Sequence, residues 1–391
     1  MLQGIIQIVE GTSFLITGAT INLLQLGLLV LWPITPLQPF LNKCMTSLNK
    51  LPLALICHSI GLDNCVFYAS NDDAKHFGKE STFNVANHRH HADFLYVILY
   101  AEAMGMLENS KVFLKSNLIF APVVGAINYF AGSCFLKRNL EKDKETVKNY
   151  VENLVKADRD SVSGVKFTDK FLFLIFGEGT RITQEKQDYS NSVAVEKFGA
   201  KPLKHLLHPR PSGYFMLLEG AKMAPIPTYM ISMRIIDNDG KISKNGPSLL
   251  NVFGGHQSGK IHFQIKRFAN VYENILDENT EIPDKKKCTK FLNSEWEKMD
   301  DDIEFLIQNG KYPLPVQNLM NSNKMSTLKY LYGTSIIWSM SVLSFSVGKI
   351  SEFLPIWGWG VVFVCAVCFV KYLSFMSDPA NSSKATIKKK V

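Results

Sequence analysis

Residues Phe14 to Leu31 (FLITGATINLLQLGLLVL) contain no charged side chain. A run of that length constrains the chain more than any other feature, because a bilayer core needs about 20 apolar helical residues. Trp32 and Pro33 follow directly, and a Trp suits the membrane interface. Asn22 and Gln25 interrupt the apolar face, so the segment either crosses or lies deeply embedded. A cleaved signal peptide is disfavoured: the first twelve residues carry no Lys or Arg, and no small-residue cleavage site stands out. Leu51 to Ile60 is too short to span and fits a core helix or the membrane surface equally well. Tyr330 to Val347 and Leu354 to Val370, separated by GKISEF and flanked by Trp338, Trp357, Trp359 and Tyr372, predict a helical hairpin in the bilayer.

Between these ends the chain is mixed and charged. Overall it is 46% hydrophobic and 20% charged, a composition that folds and is not disordered. The net charge of +8 lies on no nucleic-acid module; beside apolar spans it suits anionic lipid headgroups. The seven cysteines are odd in number and form no disulfide framework, and Cys365-x-x-Cys368 sits inside an apolar run. Lys43 and Lys50 follow the first span and nothing basic precedes it, which directs the middle of the chain to the cytosol. The tail Lys388-Lys389-Lys390-Val391 is similar to a dilysine endoplasmic-reticulum retrieval signal; the plain alternative is a solvated basic tail.

Short strands alternate with helices from about residue 67 to 268. Strands are expected at Phe83–Ala86, Lys111–Lys115, Cys134–Lys137, Phe171–Phe176, Pro225–Ser232 and Ile261–Ile265. Helices are expected at Ala92–Met106, Asp143–Ala157 (Asp143 as N-cap) and Val193–Phe198. The fold class is α/β: a mixed sheet flanked by helices, with an N-terminal membrane helix and a C-terminal transmembrane hairpin. The expected organisation is residues 1–60 as membrane anchor, 61–270 as catalytic domain and 271–325 as a helical appendage. Residues 326–376 form the hairpin and 377–391 the basic tail.

Three blocks could carry chemistry. In Asn87-His88-Arg89-His90-His91-Ala92-Asp93, five residues of regular helix would turn His88 and Asp93 about 140° apart. A strand–turn–helix junction removes that obstacle, and Asp93 can then fix one imidazole nitrogen and leave the other as a base. Spacing alone fits a capping Asp and a surface His better. A metal site from His88, His90, His91 and Asp93 lacks the i,i+4 His pair of a helical zinc motif. Phe176-Gly177-Glu178-Gly179-Thr180-Arg181 follows a buried strand; its turn can approach an anion and Arg181 can hold a phosphate, though a plain β-turn fits too. Gly132-Ser133-Cys134-Phe135-Leu136-Lys137-Arg138 offers Arg138 as a second phosphate ligand or as an ordinary solvated Arg.

Together the blocks resemble the glycerolipid acyltransferase family, marked by N-H-x-x-x-x-D, G-x-x-F-x-x-R and E-G-T-R. The match lies at Asn87, His88 and Asp93, at Gly132, Phe135 and Arg138, and at Glu178, Gly179, Thr180 and Arg181. It is strongest with the 1-acylglycerol-3-phosphate acyltransferases of gamma, delta and epsilon type, with lysocardiolipin acyltransferases next. The resemblance implies that His88 deprotonates a lysophospholipid hydroxyl, which attacks acyl-CoA directly while Asp93 orients the imidazole. It implies that Arg138, Glu178, Gly179 and Arg181 bind or frame the acceptor phosphate. Acyl-CoA is then a co-substrate, and no metal or prosthetic group is required. Lysophosphatidic acid is the expected acceptor, with lysophosphatidylinositol, lysocardiolipin or an inactive lipid-binding homologue as alternatives. No G-x-S-x-G supports an esterase. The expected location is the endoplasmic reticulum membrane, multi-pass, with the catalytic domain facing the cytosol. The chain departs from the pattern at Gly177, where Pro or Cys is usual, and at Ala224 to Thr228, which lacks the fourth-block Asp. It departs again at Pro209-Arg210-Pro211-Ser212-Gly213, which stands in place of Pro-Arg-Thr-Lys-Gly.

Overall fold

A computed structural model describes residues 2–137, 139–159, 170–221, 226–243, 259–277, 283–319, 327, 329–339 and 341–342. Eight strands form one mixed sheet in the order β4-β3-β5-β2-β6-β7-β1-β8. They are β1 (Cys65–Tyr68), β2 (Thr82–Ala86), β3 (Ser110–Lys115), β4 (Cys134–Leu136), β5 (Leu172–Phe176), β6 (Thr228–Ile236), β7 (Lys260–Phe268) and β8 (Val316–Gln317). β4, β3, β5, β2 and β6 run parallel, β7 is antiparallel to β6, and β8 is antiparallel to β1. All six expected strands are present within a few residues. The short outer strands β1 and β8 were not foreseen.

Alternation along the strands builds two cores. Leu172 and Leu174 of β5, with Tyr229, Ile231 and Met233 of β6, face one layer. That layer comprises α1 (Leu2–Leu28), α2 (Gln38–Leu48), α3 (Lys50–Ile60), the single turn α4 (Asn71–Ala74), α5 (Asp93–Ala103) and α6 (Val124–Phe130), of which α3 and α5 contribute most to the core. Phe173 and Ile175, with Phe83 and Val85 of β2, face the opposite layer. There α7 (Leu140–Arg159) and α9 (Pro211–Gly220) pack, with α8 (Gln184–Phe198), the single turn α10 (Val271–Asn274) and α11 (Lys285–Asn309) completing the set. Each fully buried aliphatic or aromatic side chain contributes about 1.5–3 kcal/mol.

α1 is the one described helix long and apolar enough to cross a membrane, over Gly4–Leu31. It exposes Leu23, Leu24, Leu26 and Val30, yet one face is fixed to the sheet domain. At Gly18 a Cβ would lie 2.2 Å from Val123 Cγ1, so only a glycine lets the helix seat there. The helical residues 329–339 dock on the same helix: Ser339 Oγ and Thr17 Oγ1 are 2.9 Å apart, and Ser339 also donates to the Ser13 carbonyl. The second arm of the expected hairpin, Cys365 and Cys368, and the basic tail lie outside the described residues.

Four readings are decided or revised. Leu51–Ile60 is a core helix, with Ala54, Leu55 and Cys57 fully buried against the sheet. α11 is no appendage: Cys288, Leu292, Trp296, Ile303 and Leu306 fill the second core. Asp143 does not precede α7 as its cap but sits inside its first turn, accepting the backbone N–H groups of Lys137 and Asn139 at 3.0 and 2.9 Å. α8 extends nine residues earlier than its apolar end suggested, capped by Thr183 and closed by left-handed Gly199. Its polar first half has no apolar stripe to read.

Candidate active site

Parallel pairing places the first two motifs side by side. Ala86 of β2 is in register with Phe176 of β5. His88 and Glu178 therefore each stand two residues beyond the strand ends, at the carboxyl edge where α/β sheets bind ligands. Asn87 clamps this edge across to β6: its Oδ1 accepts Met233 N–H at 2.6 Å, and its own N–H donates to the Ile231 carbonyl.

Asp93 opens α5, and one of its oxygens organises the whole turn. Oδ2 accepts from the backbone N–H of Arg89 (2.6 Å) and of His90 (2.8 Å), and lies 2.9 Å from His88 Nδ1. An ionised carboxylate only accepts, so Nδ1 carries the hydrogen and Nε2 keeps its lone pair. The imidazole also stacks on Phe176, ring centroids 4.2 Å apart, which fixes its plane. Asp93 is buried while the His88 side chain is 20% exposed, so the ring alone reaches outward. The turn supplied what regular helix denies: the two residues meet. His90 faces inward, and burial holds its pKa down to about 4. Among the described residues no group of three His, Cys, Asp or Glu is placed to hold a metal.

The neighbouring turn has an opposite grain. Glu178 points into the protein, 2% exposed, and is hydrogen-bonded by the backbone of His88. Burial drives its pKa well above the ordinary value, opposed by Arg234 and Arg89. An unpaired buried carboxylate costs on the order of several kcal/mol; the guanidinium of Arg234, itself held by the Met233 and His205 carbonyls, offsets part of that. Glu178 thus supports the His88 turn from behind and is not on the outer surface of its motif. Arg181 lies against the His91 imidazole and feels the Asp93 charge, which places it near the His88–Asp93 turn. Thr180 Oγ1 accepts from Lys186 Nζ at 3.0 Å. Gly179 takes φ +65, which disfavours any L side chain.

Gly132 also takes a left-handed φ (+73), closing the turn after α6 with its carbonyl accepting the Tyr150 hydroxyl. Phe135 pairs with Leu114 on edge strand β4. Arg138 and Pro225 lie outside the described residues. Arg89, within the first block, and Arg210, within the Pro209–Gly213 departure, were given no role from sequence, and Lys186 and Arg234 were not singled out; Arg210 and Arg234 reach the site by tertiary contact.

Gly177 has a reason to differ from Pro or Cys. A Cβ there would meet Trp296 Cη2 at 2.6 Å and Val85 Cγ1 at 3.0 Å, and its N–H donates to the Ala86 carbonyl at 2.9 Å. Proline could not make that bond.

Residues 65–234 match the Acyltransferase family model, and similarity to whole proteins extends well beyond them. The chain belongs to the acyltransferase family and is an enzyme of that class. The 1-acyl-sn-glycerol-3-phosphate acyltransferase delta of Rattus norvegicus is 30% identical over 302 residues, covering 77% of this chain and 73% of that protein. The gamma enzyme of Homo sapiens is 28% identical over 313 residues, covering 80% and 76%. The crystal structure of the LPA acyltransferase PlsC from Thermotoga maritima overlays 78% of this chain and 98% of its own at TM-score 0.41 and 13% identity.

Proposed function

We propose that the chain transfers the acyl group of an acyl-CoA to the sn-2 hydroxyl of lysophosphatidic acid, giving phosphatidic acid and CoA. The observation that carries this reading is the His88–Asp93 pair at 2.9 Å beside Arg181, on a chain similar to enzymes named for that reaction. His88 Nε2 takes the hydroxyl proton as the oxygen attacks the thioester carbonyl. The tetrahedral adduct collapses by breaking the C–S bond, and the imidazolium returns the proton to the leaving thiolate. Asp93 orients the ring and stabilises its charge; such a base contributes roughly 10²–10⁴ in rate. Arg181, with Arg138, anchors the phosphate. No metal or prosthetic group takes part. The enzyme works at the endoplasmic reticulum membrane, held by α1, with the sheet domain in the cytosol.

The test is the detergent-purified protein supplied with labelled oleoyl-CoA and a panel of lysophospholipids. Phosphatidic acid as main product, absent with His88→Ala, supports the reading. Product from lysophosphatidylinositol or lysocardiolipin alone would reassign the acceptor. Release of CoA with no lipid product would replace transfer by hydrolysis.

A further inference from the structure

Two cations outside the motifs converge on the turn Gly177–Arg181. Lys186, in the first turn of α8, donates from Nζ to Thr180 Oγ1 at 3.0 Å and to the Arg181 carbonyl at 3.1 Å. Arg210, immediately before α9, donates its backbone N–H to the Gly177 carbonyl at 2.7 Å. Its Cδ lies 3.1 Å from the point where Gly179 would carry a Cβ. Residue 179 must therefore be a glycine for two reasons, its left-handed φ and the seat it leaves for the Arg210 stem.

Three cationic side chains, Arg181 and Lys186 five residues apart and Arg210 from the entry to α9, thus meet at one turn, on the sheet edge that carries His88. Among the described residues none of the three forms an ion pair with a carboxylate. Arg181 and Lys186 are half-buried and Arg210 is exposed, and like charges crowded at one turn repel. Burial, Arg181 and Arg210 together lower the pKa of Lys186, the signature of a cluster that an anion would relieve. The kind of anion follows from the charge. A phosphomonoester carries about −1.5 to −2 near neutral pH, whereas a phosphodiester carries a single charge.

We propose that Lys186 and Arg210 join Arg181 in a three-cation subsite that selects a phosphomonoester. It rests on the acyl-transfer reading above. Two such groups reach an enzyme of this kind: the headgroup of a lysophosphatidic acid and the 3′-phosphate of CoA.

The experiment measures KM in the full-length protein for lysophosphatidic acid, lysophosphatidylinositol, oleoyl-CoA and 3′-dephospho-oleoyl-CoA, for wild type, Lys186→Met and Arg210→Gln. Each variant is expected to raise the KM of one monoester about tenfold, with a larger effect on KM than on kcat; Lys186→Arg and Arg210→Lys recover most of it. A rise for lysophosphatidic acid that spares lysophosphatidylinositol assigns the subsite to the acceptor. A rise for oleoyl-CoA that vanishes with the dephospho form assigns it to CoA. No KM change, or an equal change for all four, overturns the proposal. Equilibrium binding of labelled lysophosphatidic acid in detergent separates failure of the subsite from failure of the reaction. Inactive wild type whose lipid affinity still falls in both variants would remove the acyl-transfer reading alone.

Discussion

The turns after β2 and β5 stand side by side, and they are built in opposite senses. In the first, the carboxylate of Asp93 lies beneath the turn and ties two backbone N–H groups and one imidazole together, leaving a single basic nitrogen exposed. In the second, the carboxylate of Glu178 is turned away to brace its neighbour, and cations gather on the outside. One turn holds the His88 imidazole on fixed hydrogen bonds; the other presents charge on long side chains. The difference follows the two tasks proposed for them. A base must sit within a fraction of an ångström of its proton, whereas an anion can be gripped by long-range charge.

The comparison breaks first at His88. His88→Ala should cost at least about 10³ in kcat while melting temperature and lipid affinity stay near wild type; retained turnover would remove the base from this turn. Asp93→Asn should cost about 10² to 10⁴, because the amide cannot stabilise the imidazolium and can favour the wrong tautomer. Loss of stability should accompany it, since two backbone N–H groups lose a charged acceptor. In the second turn, Gly177→Cys should destabilise by about 1–3 kcal/mol through overpacking against Trp296. Trp296→Leu in that background should recover part of the loss, read as a double-mutant cycle in thermal melts; strictly additive effects would show that the two residues do not meet.

The smallest effects are in pH. His90 has a folded pKa of about 4 against an ordinary 6.5, so its contribution is complete above about 6.5 and is lost as pH falls toward 4. Glu178 is shifted upward, so its contribution is complete below its ordinary 4.5 and is lost as pH rises through the folded value. The two turns should therefore respond to acid with opposite signs. Glu178→Gln, which mimics the protonated side chain, should flatten the decline of melting temperature on the alkaline side, and His90→Asn should flatten the acid side. Unchanged slopes in both variants would mean that neither group titrates with folding.

Much of this was legible in the chain. The six strands declared themselves by short apolar runs, and the His88–Asp93 pairing needed only a strand–turn–helix junction. What was not legible shares one property, distance along the sequence. Trp296 lies more than a hundred residues from Gly177, and nothing in a charged helical pattern marks it as the reason a glycine stands there. Lys186 begins a helix with no apolar stripe, and Arg210 precedes a proline; each reads as an ordinary solvated cation until the turn brings them to Arg181.

The sequence by itself determined the α/β class and the apolar N-terminal helix, because those depend on local periodicity; it offered the His88–Asp93 pairing only through the resemblance of its motifs, since spacing alone fitted a capping Asp and a surface His better. Tertiary structure alone decided that the α11 segment is core, that Glu178 faces inward, and that three arginine and lysine side chains share one turn. Burial and charge crowding are sums over neighbours in space, and a local window that holds Arg181 and Lys186 still leaves out Arg210, Arg234 and Trp296.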